Sequence, residues 1–489
     1  MEGLEVSEIK LSELVLENRT TRIDSEFFKK EYLQNISTLI NYRSGNEKLE
    51  KYINHISGGA TPLGAQYFNK GIPFLRVQNI MQNYFNLNEV VFINNTQDKE
   101  IKRSRLKEKD VLLTITGVSF GKSAVVPKEL ENANINQHLV KITLHRNLNP
   151  YFLSTFLNSK FGKLQSDKNI VGVTRPALDY EVIKNFIIPN LDVDFQLEIE
   201  NTIRQAYAVE QNAKFLYTEA ENILLKELGL NNWQPTIKNN NTKTLKESFL
   251  SSGRIDAEYY QPKYDEIEEK IINYKGGFDQ VKNICNLKTQ NFQPQDDVIY
   301  NYIELANIGS NGVIKDVTLN EGKDLPSRAR RIVKTNDVIV SSVEGSLASC
   351  AIIPKEFNNA ICSTGFYVIN SKNINSETLL LLFKTAVIHL MEKGCSGTIL
   401  TAINNEEFFK IPLPTIDENI QKTISDKIQQ SFALQSKSKQ LLEAAKKAVE
   451  MAIEQNEEMA MDYLKVIETN IEYATTKSTP SYAHFSELQ

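Results

Sequence analysis

Two stretches of the chain carry apolar and small residues at heptad spacing. The first stretch has Ile199, Ala206, Ala213 and Ala220, and a second series three positions later of Val209, Leu216 and Ile223. The second stretch has Ile424, Ser431, Ser438 and Ala445, and then Leu434, Leu441 and Ala448. This spacing predicts two long helices that pack along an a/d seam. The matching frames favour mutual pairing over the alternative, in which each helix packs only on its own domain. The residues expected to pack are Ile199, Ile203, Leu216, Ile424, Ile428 and Leu441.

The chain also repeats itself once over most of its length. Residues 22–40 return at 254–272, residues 109–133 at 336–360, and residues 187–224 at 412–449. The first pair opens with the same Arg-Ile-Asp triplet. Three matches in the same order predict two copies of one structural unit, each ending in a long helix.

Short β-branched runs bounded by Gly or Pro lie inside each copy and predict buried strands. They occur at 111–115 and 123–127, and again at 337–343 and 350–354. Short helices are expected at 150–164 and 376–393. The predicted fold class is therefore α+β, with two similar α/β domains and two long helices.

These patterns place the segment boundaries. We predict a first domain at 1–192, a first long helix at 193–229, a linker at 230–244, a second domain at 245–416, a second long helix at 417–467 and a flexible tail at 468–489. Gly229 is expected to end the first helix.

The composition, with 41% apolar and 24% charged residues, is typical of a soluble globular protein. No apolar run approaches the roughly 20 residues that span a bilayer. The first residues also lack the basic start and apolar core of a signal peptide, so a cytoplasmic location is expected. The net charge of −5 speaks mildly against a general nucleic-acid coat, so the local distribution of charge decides.

The sequence shows little sign of catalytic or metal chemistry. Cys285, Cys350, Cys362 and Cys395 form no C-x-x-C pair and have no histidine at a zinc-like spacing, which predicts buried free thiols and no metal site. No Ser/His/Asp or paired-carboxylate set stands out, and there are only five histidines. The chain is therefore expected to bind a target and not to catalyse a reaction.

Two motif-like strings are incomplete. The run from Gly117 to Ser123 has one residue too few before its Gly-Lys for a phosphate-binding loop, and a strand-like segment follows it, so ATP binding is not expected. Asn149-Pro150-Tyr151 lacks the second proline of an amino-methyltransferase loop, and it predicts the start of a helix instead.

Basic side chains precede the same strand in both copies. They include Lys102, Arg103 and Arg105 in the first copy, and Arg328, Arg330 and Arg331 in the second. A basic run is often only a solvated surface. Its recurrence in both copies favours contact with phosphate groups.

Other loops carry side chains suited to reading base edges, since Arg pairs with guanine and Asn or Gln with adenine. In the first copy these are Thr61, Arg76, Gln78, Asn79, Lys122, Ser123, Asn136, Gln137, His138, Thr174 and Arg175. In the second copy they are Asn307, Ser346, Thr364, Ser396 and Thr398. For any single amide, hydrogen bonding to its own loop is at least as well favoured. The copies agree in framework and differ in these loops, which predicts two different short target sequences.

Three segments resemble the specificity subunits of Type I restriction–modification systems. Residues 58–80 (GGATPLGAQYFNKGIPFLRVQNI) resemble the family's Gly-Gly-x-Thr-Pro start and Ile-Pro-x-x-Arg strand, and residues 110–117 (DVLLTITG) its Asp-Val-Leu stretch. Residues 411–424 (IPLPTIDENIQKTI) resemble its proline-rich approach to the spacer helix. The resemblance covers about 20–228 and 250–465. The second copy departs from this pattern, because it has KTQNFQPQ (288–295) in place of Gly-Gly-Thr-Pro.

The resemblance implies antiparallel spacer helices and two target-recognition domains in a pseudo-twofold arrangement. It also implies binding to a bipartite site on double-stranded DNA, with one half-site per domain. The chain itself would hold no cofactor. Two methyltransferase subunits would supply S-adenosylmethionine, and restriction subunits would supply ATP and Mg. The alternatives are the recognition subunit of a related Type II system and a coiled-coil scaffold without a DNA role, which the negative net charge favours.

Overall fold

The computed structural model describes residues 7–10, 22–117, 120–145, 147–170, 177–238, 240–315, 317–396 and 401–478. The chain divides into two compact units. The first unit combines the chain up to Glu210 with the chain from Gln435 onward, and the second runs from Gln211 to Leu434. Both boundaries fall inside long helices, so each unit contains one domain and a part of each helix.

The helices up to Glu227 are α1 (Lys30–Ile40), α2 (Asn95–Glu100), α3 (Pro150–Asn158), α4 (Lys160–Lys168), α5 (Tyr180–Lys184) and α6 (Val193–Glu227). The strands are β1 (Asn46–Lys48), β2 (Ile53–Gly58), β3 (Ile72–Leu75), β4 (Ile80–Met81), β5 (Tyr84–Phe85), β6 (Val91–Ile93), β7 (Val111–Thr114), β8 (Ser123–Val125), β9 (Asn134–Ile135), β10 (Leu139–Leu144) and β11 (Ile187–Pro189).

The later helices are α7 (Phe249–Ser252), α8 (Pro262–Ile272), α9 (Val281–Ile284), α10 (Ser376–Lys384), α11 (Ala386–Gly394), α12 (Asn405–Lys410), α13 (Glu418–Glu454) and α14 (Glu457–Ser478). The strands are β12 (Phe278–Gln280), β13 (Cys285–Leu287), β14 (Ile299–Ile303), β15 (Thr318–Glu321), β16 (Ala329–Ile332), β17 (Val338–Ser341), β18 (Cys350–Ile352), β19 (Ile361–Ser363), β20 (Phe366–Ser371), β21 (Cys395–Ser396), β22 (Ala402–Ile403) and β23 (Pro412–Pro414).

The two domains share one sheet topology. A four-stranded antiparallel sheet has the order β2-β10-β7-β8 in the first domain and β13-β20-β17-β18 in the second. Each domain also has one parallel strand pair outside this sheet. It joins β3 and β9 in the first domain and β14 and β19 in the second. The predicted α+β fold with two similar domains is confirmed.

Repeated turn residues explain why the same strand starts twice. Lys109 and Asn336 both adopt φ of 68°, in the left-handed region. The next residue is a buried aspartate in each copy. The carboxylate of Asp110 accepts a hydrogen bond from the Lys107 amide (2.9 Å), and Asp337 accepts the equivalent bond from Lys334 (2.7 Å). A carboxylate that closes its own turn in this way fixes where β7 and β17 begin.

In the first unit the long helices run antiparallel. The Ser438 hydroxyl of α13 donates to the carbonyl oxygen of Ala206 in α6 (2.9 Å), and Glu457 of α14 accepts from the amide of Asp192 (2.9 Å). The chain therefore runs along α6 in the direction opposite to that of α13 and α14. The predicted packing residues Ile199, Ile203 and Leu441 are buried in this unit.

The second unit shows the same antiparallel contact. The Ser431 hydroxyl donates to the carbonyl oxygen of Ala213 (2.7 Å), and Lys427 forms an ion pair with Glu219 (2.8 Å). The predicted packing residues Ile424 and Ile428 are buried in this unit.

One predicted packing residue is wrong. Leu216 is only half-buried, whereas its neighbour Tyr217 is buried, as is Leu224. The buried face of α6 contacts the sheet and helices of its own unit as well as the partner helix. A face that packs against two neighbours is wider than a coiled-coil stripe. It keeps Ala213 and Ala220 of the predicted series, and it adds Tyr217 and Leu224, each one residue after a predicted position.

The second long helix also differs from the prediction of one helix over 417–467. It ends at Glu454, and α14 begins at Glu457. Asn456 explains the break, because its side chain accepts a hydrogen bond from the Met459 amide (2.8 Å) and caps the new helix. The predicted tail from 468 is helical as far as Ser478, and residues 479–489 lie outside the described part.

Other predicted boundaries are closer to the structure. Gly229 follows α6 with φ of +66°, as a helix-ending glycine requires. The helices expected at 150–164 and 376–393 are each split into two, at Ser159 and Thr385. Asn149 caps α3 by accepting from the Tyr151 amide (2.9 Å), so the predicted helix start there is confirmed.

Candidate nucleic-acid interface

The candidate interface of the first domain lies where two parallel strands end side by side. Strands β3 and β9 pair through Leu75 and Ile135, and the Asn136 amide donates to the Leu75 carbonyl (3.1 Å). Arg76 and Asn136, the residues that follow these strands, therefore emerge at one edge of the sheet. We call this place the first reading edge.

The Gly-Gly-x-Thr-Pro segment packs directly on this edge. A Cβ atom on Gly59 would lie 2.2 Å from the carbonyl oxygen of Asn136, so only glycine permits the approach. Two residues later, the Thr61 hydroxyl donates to the side-chain oxygen of Gln137. Both side chains are exposed, so the segment brings two predicted contact residues together at the surface.

Arg76 is held in place at the first reading edge. Its guanidinium lies 5.8 Å from the ring centroid of Tyr67 and donates to the carbonyl oxygen of Glu89 (3.1 Å). The side chain of Gln78, two residues on, is exposed. The predicted residue His138 contacts the Thr116 hydroxyl through Nδ1 (2.7 Å). Tyr67 was missed by sequence reasoning, because nothing in the repeat marks it.

Asn79 and Asn307 have a structural role, which corrects the prediction that they read bases. Both are buried. The Asn79 side chain accepts from the Arg76 amide (2.8 Å) and donates to the carbonyl oxygen of Asn86 (3.0 Å). Asn307 accepts from the Glu304 amide (2.7 Å) in the same way. Each amide closes the turn that follows β3 or β14.

The basic run of the first domain separates into two kinds of side chain. Lys102 and Arg103 are exposed, as phosphate contact requires. Arg105 instead forms a two-pronged ion pair with the buried Asp98, with Nε to Oδ1 at 2.7 Å. Asp98 also accepts from Asn134 (2.8 Å). The guanidinium holds the pKa of the Asp98 carboxyl below its usual range, and the charge of Arg105 is thereby compensated. This corrects its expected role.

The second domain builds the equivalent edge from different side chains. Strands β14 and β19 pair through Ile303 and Cys362, and Glu304 follows β14 where Arg76 follows β3. Thr364, which is exposed, donates its amide to the carbonyl oxygen of Arg328 (2.8 Å). We call this place the second reading edge. Glu304 was missed, although aligning residues 76–79 with 304–307 on their shared asparagine identifies it.

The arginines of the second basic run differ in their exposure and in their contacts within the domain. Arg328 is exposed, and its guanidinium lies 3.7 Å from the Glu304 carboxylate. Arg331 donates to the Thr289 carbonyl (2.7 Å) and to Asn291, so it stabilises a neighbouring loop. Arg330 is half-buried on β16.

Several predicted residues lie away from both edges. Ser123 is fully buried in β8, which rules out a DNA contact in this structure and corrects the prediction. Lys122 and Ser346 are half-buried, and the Ser346 hydroxyl pairs with that of Ser341 (2.9 Å). The predicted residues Thr174, Arg175 and Thr398 and the side chain of Ser396 lie outside the described residues.

The cysteines match the prediction of free, buried thiols. Burial raises the pKa of Cys285 and Cys350 to about 12. Within the described ranges, no three His, Cys, Asp or Glu side chains are grouped to hold a metal ion. No helix in the described part of the chain combines the length and apolar character needed to cross a membrane.

The model of one protein family, the Type I restriction modification DNA specificity domain, matches residues 27–205 and again residues 278–446. Together these ranges cover most of the chain and include both reading edges. The chain belongs to this family. The resemblance inferred from the sequence motifs is thereby confirmed, including its prediction of two copies.

The chain is also similar to a known specificity subunit and to solved structures. The Type I restriction enzyme EcoBI specificity subunit of Escherichia coli is 27% identical over 198 residues, which cover 39% of this chain and 40% of that protein. The S subunit structure from M. genitalium has 12% identity and a TM-score of 0.39, covering 91% of this chain and 98% of that one. The HsdS structure from Thermoanaerobacter tengcongensis has 13% identity and a TM-score of 0.28, covering 84% and 96%.

Proposed function

We propose that this chain is the DNA-recognition subunit of a Type I restriction–modification complex. Each domain binds one half-site of a bipartite double-stranded DNA sequence through its reading edge, and the long helices separate the half-sites by a gap that is not read. The chain is non-catalytic. Two methyltransferase subunits supply S-adenosylmethionine and flip the target adenine out of the duplex. Restriction subunits supply ATP and Mg.

The observation that carries this proposal is one scaffold with two sets of side chains. Asn79 and Asn307 form the same turn after equivalent strands. The side chains that these turns present differ in charge, since Arg76 stands in the first domain and Glu304 in the second. Arg donates to guanine and Glu accepts from cytosine, so the two edges suit different base pairs. A protein that bound a symmetric target would have no need of this difference.

The test is methylome sequencing of cells that express the chain together with its methyltransferase subunit. A methylated bipartite motif is expected. Arg76→Ala should relax the motif at one or two positions of a single half-site, because one good base contact contributes about 1–3 kcal/mol of discrimination. The matched variant Glu304→Ala should change the other half-site.

Two results would contradict the proposal. A wild-type chain without any effect on methylation would favour a scaffold without a DNA role. A change in both half-sites on replacing Arg76 alone would show that the domains do not read independently. Replacing the exposed Lys102 should weaken DNA binding at all sequences alike, since a phosphate contact carries no base information.

A further inference from the structure

Four large apolar side chains between residues 245 and 255 face solvent. The exposed fractions are 65% for Leu245, 50% for Phe249, 68% for Leu250 and 84% for Ile255. We call these four residues the apolar patch. Folded units rarely leave neighbouring apolar side chains uncovered, and such clusters are typical of protein-binding surfaces.

The polar groups of this segment fix it in place. The Thr244 hydroxyl accepts from the Glu247 amide (3.2 Å), and the Glu247 carboxylate accepts in return from the Thr244 amide (3.0 Å). This reciprocal cap starts a short helical turn that includes α7. At its other end the Tyr260 hydroxyl donates to the Arg254 carbonyl (2.8 Å). The apolar patch is therefore presented by a braced turn.

Ile255 projects from a clamp made by its two neighbours. Arg254 donates through Nε and Nη2 to the Asp256 carboxylate (2.8 and 2.6 Å) and through Nη2 to the carbonyl oxygen of Cys395 (3.2 Å). Its guanidinium carbon lies 4.4 Å from the ring centroid of Tyr259. These contacts hold the backbone of residues 254–256 and leave the isoleucine side chain outside.

The first domain contains the same clamp. Arg22 donates to both oxygens of Asp24 (2.7 Å each) and to the carbonyl oxygen of Ile170 (3.0 Å), and its guanidinium carbon lies 5.2 Å from the Phe27 ring centroid. Ile23, between the arginine and the aspartate, is 79% exposed. The same pair of an arginine and an aspartate thus flanks an exposed isoleucine in both domains. This recurrence indicates that the isoleucine side chain contacts another molecule.

The sequence before each clamp also repeats. The pattern Leu-x-Glu-x-x-Leu occurs at residues 11–16 and at residues 245–250. Residues 11–21 lie outside the described part of the chain, whereas Ile23 lies inside it and is exposed. The reading edges differ between the domains, whereas these segments carry the same chemistry. Two segments of the same sequence pattern, each followed by a clamped and exposed isoleucine, fit two copies of one partner.

We propose that the apolar patch and the equivalent surface around Ile23 each dock one methyltransferase subunit, by inserting the clamped isoleucine into an apolar groove of that subunit. This inference rests on the proposed function, which requires two copies of the methyltransferase. It adds the surface that receives each copy and the apolar chemistry that the receiving groove must have.

The experiment compares complexes of the methyltransferase subunit with four forms of the full chain. They are the wild type, Ile23→Ser, Leu250→Ser with Ile255→Ser, and all three substitutions together. Native mass spectrometry counts the bound copies, and titration gives Kd. Two copies are expected for the wild type, one for each partial variant and none for the triple variant. Each altered surface should bind at least about tenfold more weakly, as the loss of one buried aliphatic side chain implies.

The control is Leu319→Ser, because Leu319 is 67% exposed on β15 and lies outside the apolar patch. It should retain two copies, and all variants should melt like the wild type. Two bound copies on the triple variant would overturn the inference and leave the proposed function standing. Self-association of the isolated chain that these substitutions abolish would show that a second copy of the chain is the occupant. A wild-type chain that binds no methyltransferase would refute the inference together with the proposed function.

Discussion

Ala206→Leu tests the close contact between the long helices of the first unit. Ala206 is fully buried beside Leu441, and its carbonyl oxygen accepts the Ser438 hydroxyl at 2.9 Å, so the backbones leave no room for a larger side chain. Forcing leucine into a packed position costs about 1–3 kcal/mol. Pushing the helices apart also leaves the buried hydroxyl unsatisfied, at about 1–3 kcal/mol.

The expected destabilisation is therefore about 3 kcal/mol. For a unit of this size that corresponds to a fall of roughly 6–12 °C in melting temperature, measured by circular dichroism. Ala208→Leu is the matched control, because Ala208 lies on the same helix and is exposed. Its melting temperature should change by less than about 2 °C. Equal melting of the two variants would refute the antiparallel contact and the role assigned to the small residues.

Three further predictions concern the domains. Gly59→Ala should abolish recognition of the first half-site in methylome data, because its Cβ would collide with the first reading edge, whereas Gly345→Ala, with open space around its Cβ, should be neutral. Asn79→Ala should lower the free energy of unfolding in urea by about 1–3 kcal/mol, since it leaves buried backbone groups unpaired. The thiols of Cys285 and Cys350 should react with a thiol reagent only after unfolding. Burial raises the pKa of both thiols to about 12 in the folded chain, so between the ordinary thiol pKa and pH 12 the folded chain keeps protons that the unfolded chain has lost. The contribution of these thiols to the free energy of unfolding should therefore be fully present below the ordinary thiol pKa and should be lost as the pH rises towards 12.

The repeated framework could be predicted from the sequence because the matching residues perform local tasks. Asp110 and Asp337 close the same turn with their own backbone, and such a bond depends only on neighbours in the chain. Pattern and spacing also located both long helices and the isoleucines that they bury. The position of Leu216 could not be predicted in this way, because the width of the buried face depends on domain residues far along the chain.

The candidate contacts were harder to predict for a related reason. Asn79 and Arg105 have the side chains of DNA-binding residues, yet Asn86 and Asp98 engage them within the fold. A sequence shows the donors and acceptors but not which of them are already paired. The recurrence of Asn79 as Asn307 could have predicted their structural role. A residue that is the same in both copies stabilises the common framework, whereas residues that distinguish two targets must differ between the copies.

The first unit draws on both ends of the chain, and this has a consequence for synthesis on the ribosome. Residues 211–434 form a continuous segment that can complete its core as soon as it emerges. The apolar face around Ile199 and Ile203 must wait for Ala444 and Ala448, which are translated more than two hundred codons later. At about 5–20 residues per second, that surface stays uncovered for roughly ten seconds or more. A nascent chain that ends early in the second half would therefore expose the same face permanently, and it would be a target for chaperones and proteases.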